Sequence, residues 1–152
     1  DPYFGQQELA NLCSTYLIKA FRCQEQTAKS VALRQPKLPI FIAQVIHITG
    51  APLKVVMAAL ILLQRFRTLL PEDSHESYSG HSLFMGGLML ACSDPHLQAM
   101  VSGNARSAAY WNEISLFSET ELDDIFNNLY EELDGNIVVF PSYAAALEKL
   151  NN

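Results

Sequence analysis

The chain has 152 residues, a hydrophobic content of 49% and a net charge of −6, from 16 carboxylates against 10 lysines and arginines. A chain of that length buries roughly two thirds of its unfolded surface, so it needs neither a metal nor a disulfide to hold a core. Its acidic residues gather after Glu113, which argues against a surface that tracks nucleic-acid phosphates and favours protein partners.

The cysteines Cys13, Cys23 and Cys92 are odd in number and lack C-x-x-C spacing, so neither a disulfide framework nor a zinc site is expected, and a reducing compartment is. The longest apolar run, Val55 to Leu63, falls far short of the roughly 20 residues of a bilayer span, so no membrane association is expected. No signal-peptide pattern opens the sequence, and a start at Asp1 fits a boundary inside a longer chain.

The first helix is predicted from Gln6 to about Phe21, with Leu9, Leu12, Cys13, Tyr16, Leu17 and Ala20 on its inner stripe. Gln24 to Lys37 is polar, broken by Pro36, and reads as a connection with room for a short helical turn. A second helix runs from about Pro39 to Thr49 with Phe41, Ile42, Val45 and Ile46 inward. Gly50 closes it and Pro52 opens a third, which Pro71 stops after about Leu69. That third helix buries Val55, Val56, Ala59, Leu60, Leu63 and Phe66, and turns Arg65 and Arg67 outward.

PEDSHESYSG then reads as a solvent loop, and a fourth helix from about Gly80 to Cys92 is apolar on nearly every face. Gly86 and Gly87 in its interior cost about 1 kcal/mol each against alanine, so they signal close approach of another helix or of a partner. Asp94 to Ala109 is weakly patterned: a short helix near Pro95 to Val101, then a loop through Ser102, Gly103 and Asn104. Trp111 fits either an interface anchor or a core position. After it, Ser118 and Glu121 match a capping box, and Leu122, Ile125, Phe126, Leu129, Tyr130 and Leu133 recur at helical spacing up to Gly135. Ile137 to Phe140 reads as extended and Pro141 to Leu150 as a short last helix.

Motifs for chemistry are sparse. His47, His75, His81 and His96 do not share a helix face, so no metal site is expected. Ser79, His81 and Asp73 lack the turn that would organise a hydrolase triad and read instead as loop residues capping the fourth helix. The pairs Asp123-Asp124 and Glu131-Glu132 read as a solvated charged face. Neither catalytic residues nor a cofactor site nor a small-molecule substrate is predicted, and the residues alone lead to a helical, non-enzymatic interaction module.

The segments LPIFIAQVIHITGAP, VVMAALILLQRFRTLLP, SGHSLFMGGLMLACS and LFSETELDDIFNNLYEELDGNIVV, in that order, strongly resemble the cyclin box of the fungal Pcl-type cyclins. QQELANLCSTYLIKAFRC resembles the helix that precedes the box in the same group. The resemblance runs from about Tyr3 to Leu150 and is poorest around Asp94 to Ala109. It implies an all-α fold: residues 1–37 as flanking helix and linker, 38–140 as a single cyclin box, a five-helix bundle around a buried central helix, and 141–152 as a C-terminal helix. It also implies a regulatory subunit of a phosphate-responsive cyclin-dependent kinase, nuclear or cytoplasmic, that holds a mobile kinase helix inward and supplies no catalytic group.

The partner-binding residues carried over are Phe84, Leu88, Ser93, Phe126, Tyr130 and Ile137. The chain departs from the family at two of them. Leu90-Ala91-Cys92 is followed by Ser93 where the family has a lysine, and Ile125-Phe126-Asn127 stands where it has M-E-R, placing Phe126 at the glutamate. Gly135 replaces an aromatic, while Tyr130 and Ile137 keep apolar character. Losing two charged grips at a desolvated interface costs about 2 to 5 kcal/mol each. Two expectations follow: a divergent kinase regulator that uses other contacts, or a cyclin-fold adaptor that binds a different protein through the same patch.

Overall fold

A computed structural model of the chain describes residues 1–72 and 78–140, and these are all-helical. The elements in order are α1 (Gln7–Phe21), α2 (Ala28–Ala32), α3 (Leu38–Thr49), α4 (Leu53–Leu69), α5 (Gly80–Ala91), α6 (Pro95–Gln98), a 3-10 turn at Gly103–Arg106, α7 (Ala108–Ser115) and α8 (Glu119–Glu132). No described helix is long and apolar enough to cross a membrane.

The amphipathic helices form where periodicity places them, with one rotation. α1 buries Ala10, Cys13, Ser14, Leu17 and Phe21, whereas Leu12 is 53% exposed. The buried stripe is centred on Ser14 and Leu17, which leaves Leu12 at the rim beside Leu53 of α4. α3 opens with a proline in its first turn and closes at Gly50, whose φ of +66° is a left-handed conformation that glycine adopts without strain. Phe41, Ile42, Val45 and Ile46 are all buried.

In α4, Leu60 is only half-buried and Arg67 is not a free surface group. Its guanidinium Nε donates to the carbonyl of Ala20 at 2.7 Å, satisfying one of the last carbonyls of α1. Arg65 likewise reaches the carbonyls of Asn136 and Val138, at 3.3 and 2.9 Å, and ties the segment after α8 to α4. That segment is irregular and forms no strand. The predicted helix at Pro141 to Leu150 lies outside the described residues.

α5 is the centre of the bundle. Every residue of it except Ser82 and Met89 is buried, because α4 and α8 pack on it most extensively while α1 and α3 touch it as well. The two interior glycines make this possible. A Cβ on Gly86 would collide with Leu129 and stand 2.9 Å from Ile125 Cγ1 of α8. One on Gly87 would stand 2.8 Å from Leu63 Cδ1 of α4. The missing side chains are the seats of two neighbouring helices, which offsets their poor helix propensity.

Two short elements complete the frame. α2 is fastened by a capping box between Thr27 and Ser30. α7, which periodicity does not show, is set by Ser107, whose hydroxyl accepts from Tyr110 N, and it buries Trp111 and Ser115. Trp111 is therefore a core residue, 6% exposed, with an edge contact to Tyr110. Buried Gln35 donates from Nε2 to the carbonyl of Ser115 at 2.8 Å, joining the chain after α2 to the end of α7.

Candidate protein-interaction face

α8 begins with the predicted capping box: Ser118 Oγ accepts from Glu121 N at 3.1 Å, and the Glu121 carboxylate reaches back to Ser118 N at 3.3 Å. Lys29 of α2 pairs with the same carboxylate, and that hydrogen bond is the main reason the Glu121 pKa is lowered. From this anchor α8 turns Leu122, Ile125 and Leu129 into the core, with Leu133 buried just beyond it. The helix ends in two successive left-handed residues, Asp134 at φ +51° and Gly135 at φ +70°, and Gly135 N closes the turn on the carbonyl of Tyr130 at 3.1 Å.

The outer edge of α8 is aromatic. Phe126 is half-buried against the rim of the core and Tyr130 is 43% exposed, and their rings stack at 6.3 Å between centroids and 7° between planes. Phe126 therefore packs against the core while part of it remains exposed to solvent. Beside Tyr130 lies a shallow recess of 350 Å³ lined by that ring, Glu131, Asp134 and Gly135.

The other residues expected to contact a partner separate. Phe84 and Leu88 are completely buried, so the structure corrects their placement on a contact surface. α5 is enclosed by its neighbours, and these two side chains hold the core from beneath. Ser93 is exposed just past the end of α5, with its hydroxyl donating to the carbonyl of Leu90 at 2.5 Å. Ile137 is half-buried in the segment that Arg65 clamps.

No family model, curated protein or solved structure matches this chain.

A groove of 510 Å³ opens at the N-terminal ends of α5 and α8, with Tyr78, Phe117 and Ile125 as apolar lining and Lys29, Glu121 and Asp124 among its charged groups. Ser79 lies in it as the N-cap of α5, accepting from Ser82 N at 3.1 Å and donating to Ser82 Oγ at 2.8 Å. His81 does not face Ser79. It is wholly buried, tilted against Phe41 at 4.7 Å, with Nε2 at 2.8 Å from the carbonyl of Pro36. A carbonyl only accepts, so Nε2 carries the proton and Nδ1 is left buried without a partner. Burial, the larger effect, lowers the His81 pKa, against the opposing pull of the Pro36 carbonyl. Asp73 and His75 lie outside the described residues.

The three thiols are free. Burial raises Cys13 and Cys92 to about 12 and Cys23 to about 11, so at neutral pH none carries appreciable thiolate. Among the described residues no three His, Cys, Asp or Glu side chains come together in an arrangement that could hold a metal ion.

Proposed function

We propose that this chain is a cyclin-like interaction domain that serves as a regulatory subunit of a cyclin-dependent kinase of the fungal phosphate-responsive type. The observation that carries the reading is the seating of α8 against Gly86 of a central, enclosed α5, with the aromatic pair Phe126 and Tyr130 left on its outer edge. Under this reading, the α5–α8 side receives the mobile helix of the kinase and holds it inward. A kinase glutamate then reaches the ATP-binding lysine. The domain contributes surface and rigidity, and the kinase contributes every reacting group.

A kinase-independent adaptor is the second reading. It is favoured by Ser93 and Phe126, which put a small hydroxyl and an aromatic ring where the family grips the kinase with a lysine and a glutamate. On this view the stacked rings anchor a different protein, as partly desolvated aromatics commonly do.

Affinity purification from native extract with identification by mass spectrometry separates the two. Recovery of a cyclin-dependent kinase, followed by activation of that kinase in a reconstituted mixture, supports the first reading, and its absence sinks it. In the same experiment the double variant Phe126→Glu, Ser93→Lys should change which proteins are recovered. Retention of every native partner would remove this face from both readings.

A further inference from the structure

The residues from Glu119 to Asp134 include seven carboxylates and no lysine or arginine. Helix electrostatics explains the first of them, since acidic residues in the opening turn complement the positive end of the helix dipole. It does not explain the last. Glu131, Glu132 and Asp134 crowd the negative end of α8, where cations are favoured and none is present in the last turn. The helix thus carries charge that opposes its own stability.

Those carboxylates adjoin an apolar surface. Glu119, Asp123, Phe126 and Tyr130 fall at i, i+4, i+7 and i+11, one face of the helix, and Asp134 follows in the closing turn. Among the described residues, Glu119, Asp123 and Asp134 have no ion-pair partner, whereas Glu121, on another side, is paired with Lys29. The recess beside Tyr130 combines an aromatic ring with the carboxylates of Glu131 and Asp134, the set of groups that receives an ammonium or guanidinium by cation–π and charge contact together.

We infer that the outer face of α8 docks a cationic amphipathic helix, whose aliphatic stripe covers Phe126 and Tyr130 and whose lysine or arginine enters the recess formed by Tyr130, Glu131, Asp134 and Gly135. The inference rests on reading this face as the partner face, and it specifies the chemistry of the partner. Charge complementarity replaces the two lost grips: the cations now come entirely from the partner, and this chain supplies the anions.

The test uses the full chain and three fluorescent peptides: a helix with leucines at helical spacing and lysines elsewhere, the same helix with glutamates for the lysines, and a lysine peptide without leucines. The first should bind, losing about tenfold in affinity between 50 and 300 mM salt as the charges are screened. The other two should bind at least about tenfold more weakly. Phe126→Ser and Asp134→Asn should each weaken the first peptide about fivefold or more, with a melting temperature for Asp134→Asn equal to or above that of the natural chain, while Glu113→Gln, at an exposed position of α7, has no effect. Equal binding of the three peptides, or indifference to Asp134→Asn, overturns the inference. A kinase that co-purifies regardless of salt and of Asp134→Asn overturns it and leaves the kinase reading standing. Selective binding of the first peptide without any kinase does the reverse.

Discussion

Gly87 of α5 faces the backbone carbonyl of Ala59 in α4, so closely that a Cβ at position 87 would lie 3.2 Å from that oxygen and 2.8 Å from two atoms of Leu63. At Gly86, one residue earlier, the three atoms nearest such a Cβ all belong to side chains of α8. A leucine methyl can rotate away, but a helix backbone cannot.

The two alanine substitutions should therefore differ. Each gains about 1 kcal/mol in helix propensity, and overpacking costs about 1 to 3 kcal/mol. Gly87→Ala is expected to be clearly destabilising, by about 2 kcal/mol, because α4 itself must shift. Gly86→Ala should cost less overall but displace α8, which would appear as a change in tyrosine fluorescence from Tyr130. Urea denaturation of both variants checks the order, and equal costs would show that the bundle relaxes around either glycine.

His81 makes stability depend on pH in a defined direction. Its folded pKa lies below the ordinary value of 6.5, so the unfolded chain takes up a proton first as pH falls. Stability should be full above about pH 7 and decline below 6.5, with a slope approaching 1.4 kcal/mol per pH unit until the folded pKa is reached. Glu121 acts in a separate window: its lowered pKa contributes stability that is lost only as pH falls below 4.5. Thermal melts between pH 5 and 8 on the natural chain and on His81→Gln test this, and the variant should lose the slope between pH 5 and 6.5 even if it is less stable throughout.

What the sequence made visible, and what it hid, follows from where each residue's information resides. The capping box at Ser118, the inner stripe of α8 and the enclosure of α5 are local patterns, and they reappear in the structure because nothing distant contradicts them. α7 escaped because it spans two turns and buries only Trp111 and Ser115, too few positions for a period to show. The resemblance places Phe84 and Leu88 on a surface, although an all-round apolar helix leaves little of itself exposed. Phe126 and Tyr130 could be placed on α8 from spacing alone. Their stacking, and the recess that Asp134 completes, depend on side-chain directions that no spacing encodes.

Leu116 carries a strain that glycine would remove. It ends α7 at φ +70°, a left-handed conformation disfavoured for a branched side chain by about 1 to 2 kcal/mol, and 47% of it is exposed. Its N–H already closes the helix on the carbonyl of Asn112 at 2.9 Å, a bond that glycine retains. Leu116→Gly should raise stability by about 1 kcal/mol in urea denaturation. A loss instead of a gain would mean that the leucine side chain makes contacts worth more than its backbone strain.

Arg65 offers a way to loosen the end of the described chain without disturbing the bundle. Its guanidinium spans the carbonyls of Asn136 and Val138, and among the described residues the only other backbone bonds holding residues 136–138 are the short turns from Asn136 N to Leu133 O and from Ile137 N to Gly135 O. The site is exposed, so the charge-assisted bonds are worth about 1 kcal/mol in total, at the low end of their range. Arg65→Ala should speed amide exchange at Asn136 and Ile137, whose N–H groups make those turn bonds, about fivefold and leave the amides of α4, α5 and α8 unchanged. Because Ile137 sits in this segment while Phe126 and Tyr130 sit on α8, the same variant also separates their contributions to binding. If Ile137 shares the partner face, affinity drops along with the local protection; if only the aromatic pair matters, exchange rises and binding stays as it was.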